Sequence, residues 1–171
     1  MKTYRFSGGE AALNIPEAWS SEDEEDGDVT VYYSDAPDAG VLRCRARVFH
    51  NPTQLVTQSA VDALILGMAG RLVPNSEHEP ETTAEDTRMI TYVQELLEAD
   101  PPVIVAGWLV GIVAPPHSAP VISYTYMVPG PAATSSSTLH ELELIEAAIR
   151  SAEYSLAPTF VTDTDTGAEA G

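Results

Sequence analysis

The sequence predicts an α+β fold: an antiparallel sheet of about six to seven strands carrying two packed helices. Three observations carry this reading. Short segments alternate apolar and polar residues and are punctuated by Gly, Pro, Asn and Asp, as strands joined by turns are. Two longer segments, 55–68 and 142–156, repeat apolar residues at helical spacing instead. The order is four strands, a helix, a three-stranded meander and a second helix.

At the start, Tyr4 and Phe6 alternate with polar neighbours, and Gly8-Gly9 can supply the positive φ of a tight hairpin. Leu13 and Ile15 then alternate until Pro16 ends the pairing beside an aromatic anchor, Trp19. The acidic run 22–28 repels itself and reads as a solvated loop; its consecutive carboxylates lack the alternate spacing of a calcium loop. Residues 29–33 form a third strand, 35–40 a turn rich in Asp, Pro and Gly, and 41–49 a fourth strand. Asn51 as N-cap and Pro52 in the first turn open a helix whose stripe is Leu55, Val56, Ala60, Val61, Leu64, Ile65 and Met68, ending at Gly70.

Residues 71–86 are polar and proline-broken. Glu77-His78-Glu79 there suggests a mixed metal site, but adjacent ligands in such a segment converge poorly, so a solvated loop or irregular edge strand is preferred. Segment 88–98 suits helix through Met89, Val93, Leu96 and Leu97, and strand through Ile90, Thr91, Tyr92 and Val93. The residues after it favour strand: a turn at 99–102, a strand at 103–114 apolar on both faces, a turn at 115–120 and a strand at 121–128 complete a meander. Gly107 and Gly111 flank Trp108 and mark a bulge or the close approach of a helix. After a small-residue loop, Thr138 and Glu141 have the spacing of a capping box and open a helix through about Tyr154, with a stripe of Leu142, Ile145, Ile149, Ala152 and Leu156. Residues 1–157 are read as one domain and 158–171 as an acidic tail too small and polar to order itself.

Composition narrows the function. The 171 residues include 26 acidic and 8 basic ones, a formal charge of −18. Such a surface repels phosphate backbones and anionic membranes, so nucleic acid is not an expected partner. The apolar run 103–114 falls short of the roughly 20 residues that span a bilayer, so membrane insertion is not expected. No basic start leads into an apolar core, which points to the cytoplasm. The single cysteine, Cys44, lies in a strand pattern that suits a buried, inert thiol.

The best site candidate is on the fourth strand, where period two places Arg43, Arg45 and Arg47 on one face. Ion pairing with nearby carboxylates is the plainer role; contact with an anionic ligand, beside Tyr124, Tyr126 or Trp108, is the sharper one. Phosphate-binding glycine loops, nucleophile elbows and metal motifs are absent from the sequence, so no catalytic residue, cofactor or metal is assigned. His50, His78, His117 and His140 suit exposed structural positions.

This order of elements, headed by Phe6, Gly9, Leu13, Ile15-Pro16 and Trp19, resembles the PsbP-like superfamily, including DcrB-like bacterial proteins, over residues 3–156. The resemblance implies an α/β/α sandwich with helices on both faces of the sheet, used mostly for non-catalytic tasks. It implies a protein-binding adaptor or chaperone-like role, with another protein as partner. An anionic small-molecule binding domain and an enzyme with a convergent site are the alternatives, and oligomeric state is left open, a homo-oligomer included.

Overall fold

The computed structural model describes residues 1–6, 9–24, 27 and 29–155. In chain order the elements are β1 (Lys2–Phe6), β2 (Gly9–Leu13), β3 (Ser20–Asp23), β4 (Val29–Tyr33), β5 (Val41–His50) and α1 (Gln58–Leu72). They continue with β6 (Glu81–Ala84), β7 (Thr87–Leu96), β8 (Val103–Ile112), β9 (Ser118–Pro129), α2 (Ser136–Arg150) and β10 (Glu153–Ser155). Together they build a seven-stranded antiparallel sheet, ordered β3-β4-β5-β9-β8-β7-β6, and a separate three-stranded sheet, β1-β2-β10. The fold is α+β and dominated by its sheets.

Segment 88–98 is a strand, as expected, as far as Leu96, because β8 pairs with it continuously from Thr87 to Leu96; Leu97 and Glu98 lie in the turn that follows. The first hairpin departs from expectation by leaving the large sheet. Its five-residue strands bury Tyr4, Ala11 and Leu13 in the same core cluster as Trp108, Ile122 and Tyr124, so the hairpin packs through its side chains. Residues 7 and 8 of its expected glycine turn lie outside the described residues.

Three further departures have local causes. Part of the acidic run becomes β3, an edge strand with all four residues exposed; Asp23 Oδ1 accepts from the Thr30 hydroxyl at 2.7 Å and Glu22 Oε1 from the Tyr33 hydroxyl at 2.7 Å. Charged side chains suit an edge, where they discourage further pairing. The first helix starts at Thr57, whose Oγ1 accepts from the Ala60 amide at 3.2 Å. Asn51, the expected cap, instead accepts from the Thr53 amide and hydroxyl, a local turn that competes with helix. The second helix is capped by Ser135 rather than Thr138 and ends at Arg150, after which residues 153–155 add to the small sheet. The tail 158–171 and Leu156 lie outside the described residues.

Alternate residues of β8 divide between two core clusters. Trp108, Val110 and Ile112 join Ile122, Tyr124, Tyr126, the first hairpin, and Ile145 and Ile149 of α2. Leu109 joins Ile90, Tyr92 and Val121 with Ile65 and Ala69 of α1. Fully buried aliphatic side chains such as Ile65, Leu109 and Ile122 each contribute roughly 1.5–3 kcal/mol relative to exposure. The ladders run unbroken through both β8 glycines, so neither marks a bulge. Gly107 lies under the Tyr92 ring, and a side chain at Gly111 would meet Val61 and Ile65 of α1. Among the described residues no helix is long and apolar enough to cross a membrane.

Candidate functional site

The three arginines of β5 face Thr125, Ser123 and Val121 of β9, in the order Arg43, Arg45, Arg47. Residues opposite one another across antiparallel strands share a face. The row therefore continues from Arg45 through Ser123 to Leu109, and from Arg47 through Val121 to Gly111. On this face lies the α1 cluster.

Tyr124 and Tyr126 pair instead with Cys44 and Leu42, and Trp108 pairs with Tyr124, so all three look to the opposite face. The structure does not bring these aromatics to the arginines, because the same period of two that groups the arginines excludes them. Both tyrosines are fully buried. The Tyr124 hydroxyl bonds that of Tyr154 at 3.0 Å; the Tyr126 hydroxyl donates to Glu141 and accepts from the Gly40 amide at 3.2 Å. Burial raises both phenols above their ordinary titration range, and at Tyr126 the bond to Glu141 adds to it. Burial likewise raises the Cys44 thiol, which holds it protonated and unreactive.

Charge pairing separates the arginines into two groups. Arg5 meets Glu10 at 3.0 Å, Arg43 meets Glu24, Arg88 clasps Asp62 through two bonds of 2.7 and 3.0 Å, and Arg150 meets Glu81 and Glu146 at 2.8 and 2.9 Å. Arg43 thus makes the ion pair that is the plainer of its two expected contacts. The other three arginines, Arg45, Arg47 and Arg71, have no carboxylate within ion-pair distance among the described residues. All three line one open cavity of about 250 Å³.

Leu109 and Val121 form its floor, Met68 and Leu72 of α1 its apolar wall, and Ser123 adds a hydroxyl. Arg71 reaches it from the last turn of α1, where a cation also complements the helix dipole. Sequence reasoning passed over Arg71 because the expected helix stopped at Gly70; the helix continues to Leu72. A glycine with no neighbour on its Cβ side is tolerated in a helix at a modest cost. Each guanidinium stays charged and offers a planar set of donors that matches carboxylate and phosphate oxygens. Among the described residues neither histidine nor carboxylate lines the cavity.

No family model matches the chain, and no curated protein does. A solved crystal structure from Bacteroides thetaiotaomicron VPI-5482 is similar, with a TM-score of 0.50 at 16% sequence identity, covering 85% of this chain and 45% of that chain. That likeness concerns the fold alone, and the chain matches less than half of the neighbour's length.

Proposed function

We propose that this protein is a non-catalytic binding domain whose site is the cavity of Arg45, Arg47 and Arg71, and whose ligand is a compact organic anion with an apolar body. One observation carries the reading: the three arginines without a carboxylate partner among the described residues are the three that line one apolar-floored cavity. In a chain of charge −18 the overall field repels anions, so local cations must supply the attraction. The apolar floor favours a ligand with a short hydrocarbon part, and the cavity volume suits a small one. Two core clusters separated by alternate strand residues support the PsbP-like layering, with α1 on one face of the large sheet and α2 with the first hairpin on the other. A cytoplasmic location belongs to the same proposal.

Isothermal titration with octanoate, and separately with inorganic phosphate, tests it. Octanoate is expected to bind, at least tenfold more weakly after Arg45→Gln, Arg47→Gln and Arg71→Gln together, a change of about 1.4 kcal/mol. Arg5→Gln should leave it unchanged. Octanoate binding that ignores the triple substitution would sink the assignment, as would the lack of any binding. An acidic peptide that binds through the same arginines when octanoate and phosphate do not would move the site to the adaptor reading.

A further inference from the structure

We propose that His50 and His117 form a two-histidine site for a borderline divalent metal ion such as Zn²⁺, at a cavity distinct from the arginine pocket. The histidines are far apart in sequence, and the β5–β9 ladder unites them. His50 ends β5 opposite Ser118, so His117, the residue before it, falls beside His50. Their rings meet edge to face with centroids 6.2 Å apart.

Their surroundings fix how each ring presents itself. His117 Nδ1 lies 2.8 Å from the Gln54 backbone carbonyl, an acceptor, so Nδ1 carries the proton and Nε2 of the neutral ring keeps its lone pair. His50 Nδ1 lies 3.2 Å from the Ser118 hydroxyl, which can accept its proton and leave Nε2 as the ring nitrogen with a free lone pair. A ring nitrogen anchored to a carbonyl or hydroxyl, with the other presented outward, is the usual posture of a metal-ligating histidine. The backbone around them is tied down: the Asn51 amide donates to the His117 carbonyl at 3.0 Å and the Val56 amide to the Pro116 carbonyl at 2.8 Å.

Distance sets what remains to move. Two imidazoles on one tetrahedral zinc, with Zn–N of about 2.0–2.1 Å, have centroids roughly 5 Å apart. Closing the present gap takes a shift of about 1 Å, within reach of side-chain rotation at the exposed His50 while the half-buried His117 keeps its bond to Gln54. A cavity of about 320 Å³ adjoins both rings, with Asn51 and Gln54 in its wall, leaving room for water in the remaining coordination positions. Among the described residues no group of three or more His, Cys, Asp or Glu side chains converges. Two protein ligands are one fewer than an open zinc site ordinarily has, so the expected binding is weak and reversible, with water or a coordinating ligand in the other positions.

Titrating untagged protein with ZnCl₂ by calorimetry, and following the imidazole nitrogens by NMR, tests the proposal. One equivalent is expected, with Nε2 of His50 and His117 shifted and affinity reduced at least tenfold by His50→Gln and by His117→Gln individually. His78→Gln and His140→Gln should bind as the unaltered protein does, and thermal denaturation without metal checks that every variant is folded. Absence of saturable binding overturns the proposal. So does zinc binding that survives both His50→Gln and His117→Gln, which would place the ion on the acidic surface.

Discussion

Gly111 illustrates how much a single hydrogen atom decides. It sits in β8 directly beneath α1, where an added Cβ would lie 2.5 Å from Val61 and 3.0 Å from Ile65. Both neighbours are β-branched and fully buried, so neither swings aside easily. Gly111→Ala is expected to cost about 1–3 kcal/mol through overpacking, read as a lower denaturant midpoint at unchanged slope. Unchanged stability would mean that α1 is not seated on the sheet as described. The sequence marked this glycine as a bulge or a helix approach, and only the packing chose between them. Arg43 and Arg45 make the same point: two residues apart on one face, one is neutralised by Glu24 and the other borders the cavity.

Helix starts were the least legible elements. Asn51 and Thr57 are both good N-cap types, and sequence pattern favoured the first. The chain settles on Thr57 because Asn51 is held in a local turn and its amide is bonded to the His117 carbonyl. Thr57→Ala should therefore destabilise the protein by about 1 kcal/mol, while Asn51→Ala should not shorten the helix. Urea titrations of both variants, with helix content from circular dichroism, decide this; a larger helix loss from Asn51→Ala would contradict the assignment. At the other end of the chain, β10 replaces the expected last turn of α2, because pairing with β2 satisfies backbone groups that a frayed helix end would leave to water.

The whole molecule should be far more sensitive to alkali than to mild acid. Tyr4, Tyr32, Tyr124, Tyr126 and Tyr154 are all raised above the ordinary phenol value of 10.0, with burial the largest cause in each. As pH rises through 10.0 the unfolded chain releases protons that the folded chain retains, so the unfolded state binds fewer protons and stability falls. Below that range these groups are protonated in both states and contribute no slope. The negative charge of the molecule adds self-repulsion in the same direction. Melting temperature is expected to hold steady to about pH 9 and then drop steeply, with phenolate absorbance appearing together with unfolding. Phenolate absorbance that develops while the protein stays folded would show these hydroxyls to be open to solvent.

By itself the sequence determined the strand and helix inventory of the middle of the chain, the α+β class and the shared face of Arg43, Arg45 and Arg47, since these follow from periods of 2.0 and 3.6 residues. Tertiary structure alone decided that the first hairpin belongs to a second sheet, that Tyr124 and Tyr126 face away from the arginines, that Arg71 joins Arg45 and Arg47, and that His50 meets His117. The physical reason is common to all four. Local periodicity fixes which residues share a face, whereas which faces and ends meet depends on strand register and packing between segments distant in sequence.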